Sequence, residues 1–251
     1  MQPNRYIGAA GAGLRRLWAR VRALELSVLI AVLVLAGALW GFLALADEVA
    51  EGGTGRFDRA ILLALRNPQD PADPIGPRWF EEMARDVTAL GSTVVLTLIT
   101  LAAIGFLLML RRRAAALLVA VSVGGGVLLS NLLKFGFARP RPELVPHAVK
   151  VYTASFPSGH SMLSAVTYLT LGALLARVQP RRRLKLYLLA LAVLLTVLVG
   201  ASRVYLGVHW PTDVLAGWCM GAAWAMLCWL AARWLQRRGE VAPDTPDAAG
   251  R

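Results

Sequence analysis

Three polar clusters hold the side chains able to do chemistry in this 251-residue chain. They are Lys134-Phe-Gly-Phe-Ala-Arg139-Pro-Arg141-Pro142, then Phe156-Pro157-Ser158-Gly159-His160, then Ser202-Arg203-Val-Tyr-Leu-Gly207-Val-His209-Trp-Pro211-Thr-Asp213. His209 and Asp213 are four residues apart and Pro211 suits the first turn of a helix, so both side chains can share one face. A carboxylate one turn away can hold the imidazole Nδ1–H, which leaves Nε2 free and more nucleophilic. Ser158 can cap the apolar helix that follows it, and Gly159 lets a ligand approach the first-turn N–H groups closely. His160 sits in that first turn, at the mouth. Lys134, Arg141 and Arg203 offer a point charge and two guanidinium forks, donors suited to phosphate oxygens.

Each signal has a plainer reading on its own. A single histidine is more often structural than catalytic, Ser158-Gly159 looks like any capped turn, and one basic residue at a span end is commonly a headgroup anchor. Two histidines, one orienting carboxylate and three cations in one region favour a catalytic site that binds an anion. Zinc would call for three or four close ligands such as His-Glu-x-x-His, which the sequence lacks, and the abundant cations would repel a metal. No Gly-Lys-Ser loop between strand and helix is present, so nucleotide hydrolysis of the P-loop kind has no footing. His147, the third histidine, has no comparable setting.

The elements that must position these clusters are read from composition. The chain is 57% hydrophobic and 17% charged with a net charge of +12, against about 45 to 50% and about 25% in ordinary globular domains. Collagen-like, disordered and disulfide-framework classes are excluded. Cys219 and Cys228 lie on opposite faces of one helix and read as lipid-facing or packing residues. Six apolar runs are candidates to cross a bilayer: Leu26 to Ala46, Thr93 to Leu110, Ala114 to Leu133, Ser161 to Ala176, Leu186 to Ala201 and Val214 to Leu230. The fourth and fifth look short, their outer ends spent on the polar clusters. Between the first two runs, Asp47 to Gly91 is broken by Pro68, Pro71, Pro74 and Pro77. Phe57 to Arg66 and Arg78 to Leu90 flank the prolines as short amphipathic helices lying on the membrane surface or packed over the bundle, interfacial packing being favoured over a lid.

Alternating six spans from a cytoplasmic N-terminus collects 17 basic and 4 acidic residues inside, leaving 10 basic and 11 acidic outside. The positive-inside rule therefore puts both termini in the cytoplasm and the three clusters on the opposite face. The high pI thus records topology, and nucleic-acid binding loses its support. Ala44-Leu45-Ala46 imitates a signal cleavage site, but the apolar run is about 20 residues, longer than a signal core of about 7 to 15, so an uncleaved first span is expected.

In order and spacing, Lys134 with Arg141-Pro142, Pro157-Ser158-Gly159-His160, and Ser202-Arg203 with His209 and Asp213 resemble the three-part signature of the type 2 phosphatidic acid phosphatase superfamily. That family includes bacterial undecaprenyl pyrophosphate, phosphatidylglycerophosphate and lipid A phosphatases. The resemblance implies that His209 attacks phosphorus and Asp213 orients it, while His160 protonates the leaving oxygen and then assists water. It further implies that Lys134, Arg141, Arg203, the Ser158 hydroxyl and the Gly159 N–H hold the phosphoryl oxygens, with no metal and no cofactor. Arg139 is a further candidate for the phosphate.

The expected protein is an all-α, six-span transmembrane bundle with short amphipathic helices on the periplasmic side. A basic cytoplasmic N-terminus (1–25) precedes a membrane phosphatase domain (26–235, with the periplasmic segment 47–91), and a cytoplasmic tail (236–251) follows. The expected site faces the periplasm of a bacterial inner membrane, where a lipid phosphate enters from the bilayer: undecaprenyl pyrophosphate in the first instance, with phosphatidate, phosphatidylglycerophosphate or lipid A as the alternatives. A lipid phosphotransferase uses the same residues; a non-enzymatic transporter has no use for His209 paired with Asp213.

Overall fold

A computed structural model describes residues 26–142 and 154–238. His147 and the two termini lie outside them. In chain order the elements are α1 (Leu26–Ala50), α2 (Gly55–Ala64), β1 (Arg66–Asn67), β2 (Asp70–Pro74), α3 (Arg78–Ala89), α4 (Thr93–Met109), α5 (Arg113–Gly136), α6 (Gly159–Val178), α7 (Arg182–Tyr205) and α8 (Pro211–Arg238). The protein is an all-α membrane bundle. Helices α1 and α5 to α8 are long and apolar enough to cross a bilayer, and the pair α3 and α4, bent by 46° at their junction, makes the sixth candidate.

The fourth and fifth spans are not short. α6 has 20 residues and α7 has 24, and at 1.5 Å per residue the shorter one covers about 30 Å of bilayer. The polar residues ride on the helices themselves: Lys134 is in the last turn of α5, His160 in the first of α6 and Arg203 in the last of α7. All three are half-buried against the bundle, which lets the helices continue through them.

Helix α6 is the centre of the bundle. Its span is 56% buried, against 11% for α1, and it packs against α5, α7 and α8. The seam with α8 is made by small residues. A Cβ on Gly217 would sit 2.7 Å from the Ser158 carbonyl, and one on Gly221 would sit 2.5 Å from the Met162 carbonyl. Bundles in lipid gain their packing from such close backbone approach, since lipid is as apolar as the helix surfaces. Two hydroxyls buried in the spans bond within their own helix: Thr100 donates to Leu96 O at 2.6 Å and Thr196 to Ala192 O at 2.9 Å.

α1 runs unbroken through Ala44-Leu45-Ala46 and buries Phe42 and Ala46 against Phe156, Met162, Ala216 and Met220. Cys219 packs on that same cluster and Cys228 is buried, so both thiols are packing residues.

The amphipathic segments fold as helices α2 and α3, and the proline-rich stretch between them forms an antiparallel hairpin pairing Arg66 with Pro74 and Asn67 with Asp70. A two-stranded ribbon consists of edge strands only, so Pro71 and Pro74 are tolerated. Asn67 and Asp70 accept from the N–H groups of Gln69 and Ala72, local turns that favour the reversal. The hairpin is fastened to the end of α7. The buried Arg66 donates to Tyr205 O at 2.6 Å, satisfying a terminal carbonyl, and Tyr205 Oη donates to Ile75 O at 2.8 Å.

Candidate active site

The chain leaves α7 at Tyr205, turns through Gly207 in the left-handed region (φ 70°), and enters α8 at Pro211. His209 lies in this turn, 1% exposed. Asp213 reaches back so that its Oδ2 accepts the Trp210 N–H at 3.0 Å, the reciprocal half of a helix capping arrangement. The same Oδ2 lies 3.4 Å from His209 Nδ1 and accepts a short hydrogen bond from the Ser155 hydroxyl. Ser155 Oγ is also 3.4 Å from Nδ1.

On the other side of the ring, Arg141 Nη1 lies 3.1 Å from His209 Nε2 and donates to Val208 O at 2.9 Å. A guanidinium has donors and no acceptor, so Nε2 carries the lone pair and Nδ1 the hydrogen. Burial above all pushes the His209 pKa down to about 4; the Asp213 hydrogen bond opposes this and the charge of Arg141 adds to it. Burial likewise pushes the Arg141 guanidinium below its ordinary value, with the charge of Asp213 opposing.

The remaining candidates approach His209 from three helix ends. Lys134 hangs from the end of α5, and a Cβ on Gly159 would come within 3.2 Å of its ammonium, so the start of α6 lies directly against that nitrogen. Ser158 caps α6, accepting from the Ser161 N–H at 3.5 Å and its hydroxyl at 2.9 Å. The Ser158 N–H donates to Asp213 O at 3.0 Å, tying the starts of α6 and α8 together. His160 lies within Coulomb reach of Arg203, His209, Lys134 and Arg141. Arg203 donates to Thr88 Oγ1 of α3 at 3.2 Å, while its buried Nε has no hydrogen-bond partner among the described residues. All eight candidate residues therefore meet in one place.

Arg139 does not join them. Its Nη1 donates to Asp213 Oδ1 at 2.7 Å and Thr212 Oγ1 at 2.8 Å, and its Nη2 to Asp58 Oδ2 at 2.6 Å and Thr54 Oγ1 at 3.0 Å. With both terminal nitrogens engaged by carboxylates, it is turned away from the anion site.

Residues 115–237, which hold all of these candidates, match the model of the PAP2 superfamily. Phosphatidylglycerophosphatase B of Bacillus subtilis is 35% identical over 184 residues, 72% of this chain and 85% of that protein. The chain belongs to the PAP2 superfamily. It is a membrane phosphatase, a hydrolase of phosphate esters. The crystal structure of a transmembrane PAP2 type phosphatidylglycerolphosphate phosphatase from Bacillus subtilis superposes with a TM-score of 0.70 at 30% identity, covering 81% of this chain and 98% of that one. An undecaprenyl-diphosphatase of Sulfolobus acidocaldarius is 36% identical over 95 residues, 38% of this chain and 40% of that protein.

Sequence reasoning missed Asp58, Thr88, Ser155 and Thr212, and named Arg139 as a further phosphate candidate beside Arg141, which carries the motif role. One signal for Asp58 was available. It stands one turn before Leu62 on the apolar face of α2, and both are buried; an acid on a buried face needs a partner. For Thr88 and Ser155 nothing in the local pattern distinguishes them from surface hydroxyls.

Proposed function

We propose that this phosphatase hydrolyses the phosphate of a membrane lipid through a phosphohistidine on His209. The observation that carries the reading is His209 itself: buried, held at Nδ1 by Asp213 and Ser155, with its Nε2 lone pair facing Arg141, whose charge is felt by Lys134 beside Arg203. An arriving phosphate brings acceptor oxygens for Arg141, freeing Nε2 for attack on phosphorus. The N–P bond forms as the bond to the lipid oxygen breaks, and His160 gives that oxygen its proton. The dianion that neutralises the surrounding cations also favours the protonated form of His160. Water then attacks phosphorus, passing its proton to His160, and the N–P bond breaks to release inorganic phosphate. Lys134, Arg141, Arg203, the Ser158 hydroxyl and the Gly159 N–H stabilise the charge on the transferring group.

Phosphatidylglycerophosphate is the favoured substrate, because the relative so named aligns over most of both chains whereas the undecaprenyl-diphosphatase aligns over less than half of either. Undecaprenyl diphosphate is the second reading. Its pyrophosphate leaving group departs more easily than an alkoxide, so it depends less on a proton from His160. The uneven distribution of Lys and Arg supports a site on the outer face of the cytoplasmic membrane.

The test is phosphate release by the detergent-purified protein from both lipids, with a rapid quench in alkali to preserve acid-labile phosphohistidine. His209→Ala is expected to abolish both release and the trapped intermediate; near-full release by that variant overturns the mechanism. A kcat/KM for undecaprenyl diphosphate above that for phosphatidylglycerophosphate reverses the order of substrates.

A further inference from the structure

The carboxylate that orients His209 is itself held by a second shell of buried charge that reaches out of the matched family region. Asp213 Oδ1 accepts from Arg139, and Arg139 is in turn gripped by Asp58 and Thr54 of the α2 segment. Asp58 also accepts the Thr212 N–H at 2.9 Å through Oδ1 and the Thr212 hydroxyl at 2.7 Å through Oδ2. Asp58 thus caps the N-terminus of α8 from another helix, where a negative charge meets the positive end of the dipole. The side chains of Asp58 and Asp213 are 1% and 0% exposed and that of Arg139 is 14% exposed.

We propose that Asp58 and Arg139 are positioning residues for phosphoryl transfer, fixing Asp213 and the first turn of α8 so that His209 holds its attacking geometry. The proposal rests on the reading of His209 as nucleophile. Apolar contacts between α2 and α8 already exist, with Leu62 packed on Val214 and Trp218, so docking α2 does not call for buried ions, which seldom stabilise more than an apolar replacement. Every bond of the network ends on Asp213, on Thr212 beside it, or on a residue holding those bonds. With Oδ2 shared by Ser155, Trp210 and His209, the bond from Arg139 to Oδ1 stops the carboxylate from rotating. The segment 47–91, on this account, is a clamp on the nucleophile turn.

The experiment compares Asp58→Asn, Arg139→Gln, the double variant and His209→Ala, purified in detergent. Melting temperature, kcat and KM are measured on a short-chain phosphatidylglycerophosphate. The expected result is kcat lowered about 10- to 100-fold, as for a misplacement near 1 Å, with KM within about threefold of wild type and the double variant no slower than the slower single one. Wild-type kcat in folded Asp58→Asn, or losses that multiply in the double variant, overturns the proposal. If Asp58→Asn does not fold, Thr54→Val and Thr212→Val take its place: a kcat-specific loss supports the proposal and an unchanged kcat overturns it. An inert His209→Ala beside a fully active Asp58→Asn sinks the clamp alone; an active His209→Ala sinks the nucleophile and the clamp with it.

Discussion

At the level of single residues, the decisive feature is a histidine made uncharged by its surroundings. Burial pushes the His209 pKa from 6.5 down to about 4, so Nε2 keeps its lone pair at neutral pH without a general base to strip it. The same shift links protonation to stability. Between those two values the unfolded chain binds a proton that the folded chain refuses, so stability is full above about 6.5 and falls as pH drops toward 4, by up to about 1.4 kcal/mol per unit. Melting in detergent across pH 7 to 4.5 is expected to show that decline. His209→Asn, which cannot titrate, should lessen the slope; an equal slope in the variant would remove His209 as a cause. His160, by contrast, has no hydrogen-bond partner among the described residues, which leaves its ring available to the leaving group.

At the level of elements, the site depends on how closely α6 and α8 approach. α6 brings Ser158, Gly159 and His160, and α8 brings Asp213, so the seam at Gly217 and Gly221 sets the distance between the proton donor and the carboxylate behind the nucleophile. A methyl group at Gly221 would lie 2.5 Å from Met162 O and 2.7 Å from the Ala165 Cβ. Gly221→Ala is expected to cost about 1 to 3 kcal/mol, the usual penalty of overpacking, and to lower kcat beyond what the lost folded fraction explains. Gly105→Ala, with nothing within 4 Å of the added atom, is the neutral comparison. Equal melting temperatures and activities in the two variants would show that the seam tolerates separation. The α3–α4 bend is held by a related device: Tyr168 of α6 donates to Leu90 O at 2.7 Å, satisfying a carbonyl freed where the helix breaks.

At the level of the whole molecule, the two ends differ in charge and purpose. Arg113, Arg177, Arg182 and Arg183, and Arg237 and Arg238 stand at the ends of α5 to α8 opposite the site. Trp234 and Trp229 lie beneath Arg238 and Arg233 there, with guanidinium carbons 3.9 and 5.2 Å from the ring centres, an arrangement suited to an interface. If that end is cytoplasmic, alkaline phosphatase fused at the C-terminus will be inactive and green fluorescent protein fused there will glow. The converse pattern would invert the topology.

Much of this protein was determined by short stretches of its sequence acting locally. Hydropathy runs marked the spans, the i,i+4 step from His209 to Asp213 placed the pair at one helix end, and the motif spacing selected the eight residues that the fold brings together around His209. Tertiary packing decided the rest. Whether Arg139 faces phosphate or carboxylate depends on Asp58, 81 positions away, and whether Thr88 touches Arg203 depends on an α3–α7 contact 115 positions apart. No periodicity encodes such meetings, because a buried charge is satisfied by whichever partner the folded chain delivers. The proline-rich hairpin follows the same rule: its local turns permit it, and Arg66 at the end of α7 anchors it.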